Sequence, residues 1–303
     1  MSLNALQEEI LRLKVRRHAL ILAHNYVDAQ LQEIADFVGD SLELSVKASQ
    51  NHADVLVVCG VRFMGETVKM LSPGSTVLLP CADAGCPMAD MAPGEAIRAA
   101  RTAMPDALFV AYVNTSAEAK AEADICCTSG NAEKIVASLS DDKTILFLPD
   151  RNLGSNVSRT RNRPMHLWEG FCPIHDAVTP EQIENARKNH PGAEILIHPE
   201  CRSEVVALAD HALSTGQMLR YVRTSEKKEF VIVTESGILF RLRNENPGKT
   251  FYTIDPPLVC ADMKKITLEM VRDALLNLAP EINLDPTTAE RACISVRRMV
   301  EKE

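Results

Sequence analysis

Apolar residues along this chain switch between two spacings, and the switch recurs three times. Each cycle opens with an amphipathic segment of helical period, at 5–17, 93–103 and 180–189. The second and third begin on helix-start signals, Pro93-Gly94-Glu95 and Thr179-Pro180-Glu181. A nearly continuous apolar run with a polar end follows each, at 19–26, 108–114 and 194–200. Runs of that length suit strands of a parallel sheet covered on both faces.

Beyond a further helical segment, an Ala-Asp pair opens a second strand: Ala53-Asp54, Ala123-Asp124, Ala209-Asp210. A third strand follows at 76–79, 144–148 and 230–233, and a loop then leads to Cys86, Cys172 or Cys260. From the polar strand end to the cysteine is 62 residues in the first cycle (24 to 86), 58 in the second (114 to 172) and 62 in the third (198 to 260). The first cycle has a longer stretch between its first two strands, which admits an extra helix around 41–51. Alternating strands and helices with right-handed crossovers place the chain in the α/β class. The expected architecture is three homologous α/β/α three-layer sandwich domains with parallel sheets, around a pseudo-threefold axis. The expected limits are 1–87 with the helical tail 262–303, then 88–173, then 174–261, the tail packing on the first domain. Reactive loops in such sheets lie beyond the carboxyl ends of the strands, so the axis gathers three equivalent loops.

Composition narrows the function. The chain has 303 residues, 46% of them hydrophobic, enough for a packed core throughout. It has no apolar run of about 18 residues, so no transmembrane helix is expected. Its start lacks the apolar stretch of a secretory signal. A net charge of −8 with dispersed basic residues argues against a nucleic-acid partner. These features point to the cytoplasm. Nine cysteines there, an odd number, are not a disulfide framework.

Cys86, Cys172 and Cys260 occupy equivalent loops, each in a turn-like setting: Gly85-Cys86-Pro87, Phe171-Cys172-Pro173, Val259-Cys260. If the loops converge, three thiolates meet. Such a trio suits one 4Fe–4S cluster whose fourth iron has no cysteine ligand and is free to bind a substrate oxygen. A zinc site on three cysteines is the alternative. Cys59, Cys126, Cys127 and Cys293 read as packing residues. Cys81 and Cys201 lie near the site in sequence, with no assigned role.

The strand ends carry polar pairs at i and i+2, spaced to face one way: His24 and Tyr26, Tyr112 and Asn114, His198 and Glu200. The histidines can donate to a carboxylate. Glu200 is a candidate general base, and Tyr26 and Tyr112 are candidate proton donors. Three hydroxyl turns precede helices: Gly39-Asp40-Ser41, Thr128-Ser129-Gly130-Asn131 and Ser214-Thr215-Gly216-Gln217. A hydroxyl beside backbone N–H groups at a helix start binds carboxylate or phosphate, although Ser and Thr are also ordinary caps there. His175, three residues after Cys172, is a candidate neighbour of the site. Arg151, in Asp150-Arg151-Asn152-Leu153-Gly154, is read as a brace.

At this point the chain resembles the quinolinate synthase family over essentially its whole length. The resemblance rests on Leu22-Ala23-His24-Asn25-Tyr26, Ala35-Asp36-Phe37-Val38-Gly39-Asp40-Ser41 and Cys86-Pro87-Met88-Ala89. It continues through Tyr112-Val113-Asn114-Thr115-Ser116, Pro149-Asp150-Arg151-Asn152-Leu153-Gly154, His198-Pro199-Glu200-Cys201, Ser214-Thr215-Gly216-Gln217-Met218 and Met263-Lys264-Lys265. It implies condensation of iminoaspartate with dihydroxyacetone phosphate to quinolinate, phosphate and water, in NAD biosynthesis. The enzyme that supplies iminoaspartate is then a partner. It implies Cys86, Cys172 and Cys260 as cluster ligands, and His24, Tyr26, Ser41, Tyr112, Asn114, Ser129, His175, His198, Glu200 and Thr215 as site-lining residues. Tyr26, Tyr112, His198 and Glu200 are the catalytic candidates among them. Two departures stand out: Gly130 follows Ser129 where the family pattern has Ala, and Phe171 precedes Cys172 in place of His. Another cluster-dependent hydro-lyase and a non-catalytic iron–sulfur sensor are the rival readings. The first needs no phosphate site and the second no polar pocket.

Overall fold

Three four-stranded sheets, all parallel and all of one strand order, frame the molecule in this computed structural model, which describes residues 4–51 and 53–302. The first runs α1 (Ala5–Arg16), β1 (Ala19–His24), α2 (Ala29–Ile34), β2 (Phe37–Gly39), α3 (Ser41–Gln50), β3 (Val55–Cys59), α4 (Arg62–Leu71), β4 (Thr76–Leu78), α5 (Pro87–Asp90). The second runs α6 (Gly94–Ala103), β5 (Leu108–Tyr112), α7 (Ala117–Ala121), β6 (Ile125–Cys127), α8 (Ala132–Ala137), β7 (Ile145–Leu148), α9 (Arg151–Arg161), β8 (His166–Leu167), α10 (Pro173–Asp176). The third runs α11 (Pro180–Asn189), β9 (Glu194–Ile197), α12 (Ser203–Val206), β10 (His211–Ala212), α13 (Thr215–Thr224), β11 (Glu229–Val233), α14 (Ile238–Glu245), β12 (Thr250–Thr253), α15 (Ala261–Lys264). Their spatial orders are β2-β1-β3-β4, β6-β5-β7-β8 and β10-β9-β11-β12.

The repeat holds down to single hydrogen bonds. Asp36, Asp124 and Asp210 each turn Oδ2 to a backbone N–H of the first strand, accepting from Ile21, Phe109 and Ile195 at 2.8, 2.7 and 2.8 Å. A cation on the opening helix pairs with each: Lys14, Arg101 and Arg187, at 2.7, 2.8 and 3.2 Å. This corrects the alignment expected from sequence. The first-unit counterpart of Asp124 and Asp210 is Asp36 in Ala35-Asp36, while Ala53-Asp54 precedes β3. Consequently α3 is no extra helix but the counterpart of α8 and α13, and each sheet has four strands where three were expected. The pairing to the first strand, invisible in sequence, decides which Ala-Asp pair is equivalent.

Alternation along the third sheet places Ile195, Ile197, Val231 and Val233 in one core and Leu196, Phe230 and Ile232 in the other. The first two sheets share one continuous core with the tail. In that tail, α16 (Leu268–Asn277) packs on α1, and α17 (Pro286–Val300) lies against α7, β6 and α4. Ser295 Oγ on α17 donates to the Lys120 carbonyl at 2.9 Å, so the last helix ties the first sheet's layer to the second's.

Candidate active site

The carboxyl ends of β1, β5 and β9 open into one cavity of about 240 Å³. The residues read from sequence as site-lining or ligand candidates all line it: His24 and Tyr26, Tyr112 and Asn114, His198 and Glu200, the three hydroxyl residues Ser41, Ser129 and Thr215, His175, and Cys86, Cys172 and Cys260. Strand parallelism is the reason. Three equivalent sheets present the same end, so residues just past each central strand arrive together.

The two strand-end histidines are held in one way. Tyr26 N–H donates to His24 Nδ1 at 3.2 Å, and Glu200 N–H donates to His198 Nδ1 at 3.3 Å. Nδ1 is therefore the acceptor, and Nε2 carries the proton. Burial pushes His24 down to about 3 and His198 down to about 4, so both are neutral donors at neutral pH.

A hydrogen-bonded chain joins residues of the cavity wall through buried Thr234, which does not itself line the cavity. Tyr26 Oη lies 2.6 Å from Thr234 Oγ1, which lies 2.9 Å from His175 Nε2. His175 Nδ1 is 2.7 Å from Glu200 Oε2, and Tyr112 Oη donates to Glu200 Oε1 at 2.6 Å. Burial raises Tyr26 and Tyr112, with the Glu200 charge adding to it, so both phenols stay protonated. Burial alone would raise Glu200. The charges of His198 and His175 and the bonds from His175 and Tyr112 outweigh it and draw the carboxyl down to about 2.

Thr234 was missed by sequence reasoning. It directly follows β11, and a polar residue at the end of a third strand was the available signal. Cys81 and Cys201 do not line the cavity and are buried. Cys59, Cys126 and Cys127 lie in the core and Cys293 on α17, as expected. Arg151 braces: its guanidinium lies 4.3 Å from the Phe171 ring centre and 3.3 Å from Asp176 Oδ1.

The family model for quinolinate synthetase A protein matches residues 8–301. The chain is 50% identical to the quinolinate synthase of Methanoregula boonei, over 97% of each chain. It is 49% identical to that of Desulforudis audaxviator over 96% of each, and 48% identical to that of Geobacter sp. (strain M21) over 94% of this chain and 93% of the other. The chain belongs to the quinolinate synthase family.

An iron–sulfur centre, as expected of a quinolinate synthase, can be tested against the donors present. Cys86, Cys172 and Cys260 are free thiols, each the cap of a four-residue helix, α5, α10 or α15. The backbone N–H groups of Ala89 and Met88 near Cys86, of His175 near Cys172, and of Met263 and Asp262 near Cys260 act to lower the three thiols, although none forms a cap hydrogen bond to the sulfur. Burial nevertheless pushes Cys86 up to about 12 and raises the other two. Thiolates here need a metal cation beside them. A single zinc ion, with Zn–S near 2.3 Å, sets its sulfurs about 3.8 Å apart. The three sulfurs do not gather within 4.8 Å of one another, whereas donor atoms of Cys172, His175 and Glu200 do. The hydrogen bonds of His175 already account for that tighter group. Three soft thiol donors lining one cavity suit an iron–sulfur centre.

Proposed function

We propose that this chain condenses iminoaspartate with dihydroxyacetone phosphate to quinolinate, phosphate and water. In this reading Cys86, Cys172 and Cys260 hold one 4Fe–4S cluster with one iron free of cysteine. The domain limits are those read from sequence, and the enzyme acts in the cytoplasm, supplied by a partner that makes iminoaspartate. Among the described residues no helix is long and apolar enough to cross a membrane.

The observation that carries the reading is the Tyr26–Thr234–His175–Glu200–Tyr112 chain at the cavity that also holds the three thiols. Bound there, the cluster supplies a Lewis-acidic iron with an open position for a substrate oxygen. The protein groups do the rest. Ser41 and Thr215, at the first turns of α3 and α13, and Ser129 ahead of α8 offer hydroxyls to phosphate and carboxylates, while Asp40 already accepts from the Leu42, Glu43 and Gly216 N–H groups. His24 and His198 donate Nε2–H without bringing charge. Tyr26 exchanges a proton with the substrate while its own passes through Thr234 and His175 to Glu200. Tyr112 keeps its proton and serves as a donor.

The hydro-lyase rival does not explain hydroxyl turns from all three sheets, and the sensor rival does not explain the proton chain. The test is anaerobic protein with oxaloacetate, ammonia and dihydroxyacetone phosphate. Quinolinate formed in proportion to iron content supports the reading; iron-loaded protein that forms none overturns it.

A further inference from the structure

Tyr26 sits on the turn after β1, and its backbone carbonyl is gripped from two sides. Lys264 Nζ donates to it at 2.6 Å. On the other side Gly237 packs so closely that a Cβ there would lie 2.7 Å from the same oxygen. Lys264 also pairs with Glu235 Oε1 at 3.2 Å, and the Glu235 side chain is wholly buried. Glu235 in turn accepts from the Gly237 N–H at 2.7 Å and the Cys260 N–H at 3.4 Å. Gln32 Nε2 donates to the carbonyls of Asn25, Val27 and Gly237 at 3.1, 2.9 and 3.1 Å, tying the same turn to the same loop.

Glu235 is the residue after Thr234, and Lys264 lies four residues beyond Cys260. One ion pair therefore fixes the backbones that carry both ends of the Tyr26–Thr234 hydrogen bond. Leaving Glu235 buried without its cation would cost more than the pair itself contributes. That cost makes a lysine at this place on a short helix beside a thiol loop favourable.

We propose that Lys264, with Glu235, is a positioning residue for Tyr26, holding its hydroxyl on Thr234 and so keeping the proton chain connected. The proposal rests on the catalytic reading of Tyr26 given above. Lys264 touches the Tyr26 backbone, which a Phe at 26 would keep, so the part of its effect that runs through the hydroxyl disappears in the Tyr26→Phe background.

The test compares Lys264→Met in the wild-type and Tyr26→Phe backgrounds, on anaerobic iron-loaded enzyme. In the wild type kcat falls at least about tenfold, KM stays within about twofold and iron content is unchanged, because misplacing a reacting group by about 1 Å costs up to about a hundredfold. Lys264→Arg recovers part of the loss. Gly237→Ala, which pushes the same carbonyl from the opposite side, mimics it. In the Tyr26→Phe background Lys264→Met lowers kcat less than about threefold. An equal fold-loss in both backgrounds, or loss of iron along with turnover, overturns the positioning role while leaving Tyr26 catalytic. A Tyr26→Phe enzyme with normal kcat overturns the catalytic reading, and the positioning role with it.

Discussion

Tyr112 Oη donates to Glu200 Oε1 at 2.6 Å, joining the end of β5 to the loop after β9 across 88 positions of sequence. The bond gives Glu200 a donor that does not ionise, beside a His175 that links to Thr234. The carboxylate is thus the sink of the chain, and the tyrosine a fixed donor.

Replacing Glu200 by Gln keeps the shape and removes the sink. Steady-state turnover should fall by about 10²–10⁴-fold, the usual contribution of a general base, with iron and sulfide content unchanged. Near-normal turnover removes Glu200 from proton transfer.

Thr234 has no charge and binds no metal in this account, so its hydroxyl is its contribution. Thr234→Val should lower kcat while leaving KM and the cluster spectrum intact, and Thr234→Ser should restore most of it. Equal activity of the Val and Ser variants breaks the chain between Tyr26 and His175.

The two buried histidines should each cost the metal-free protein stability in acid, above the ordinary carboxylate range. His24 and His198 titrate at about 3 and about 4 when folded, against 6.5 in the open chain, so the unfolded state binds more protons between those values. Their contribution is complete above pH 6.5 and is lost as pH falls towards 4 and then 3. Asp40 opposes it: burial raises this carboxyl to about 6, so the folded state takes up a proton first. The buried carboxyls of Asp150 and Glu235, also raised by burial, oppose it as well. A His24→Gln variant should therefore lose less thermal stability, or gain more, between pH 7 and pH 5 than the unaltered protein; an identical change contradicts the buried neutral imidazole.

The repeated aspartate predicts a purely structural effect. Asp124→Ala leaves the Phe109 N–H without its partner and should cost about 1–3 kcal/mol in denaturant unfolding, whereas Asp124→Asn should cost much less. Equal losses would mean that the Arg101 ion pair, not the strand N–H, sets the value of this position.

The apolar runs made the central strands legible, and their polar ends made the site legible, because a parallel sheet sends those ends to one place. The edge strands were not legible. β8 and β10 have two residues each, too few to show alternation. Ala53-Asp54 looks as good as Ala35-Asp36 until the bond to the Ile21 N–H separates them. Thr234, and the contact of Lys264 with Tyr26, were missed because these partners of Tyr26 lie 208 and 238 residues away, and no local spacing encodes such a pairing.

Iron and acid-labile sulfide, with the visible spectrum, should be measured on anaerobically purified protein and on Cys86→Ser, Cys172→Ser and Cys260→Ser. The account predicts a full cluster in the unaltered protein and severe loss in each single variant. Three variants that each retain a full cluster would contradict it.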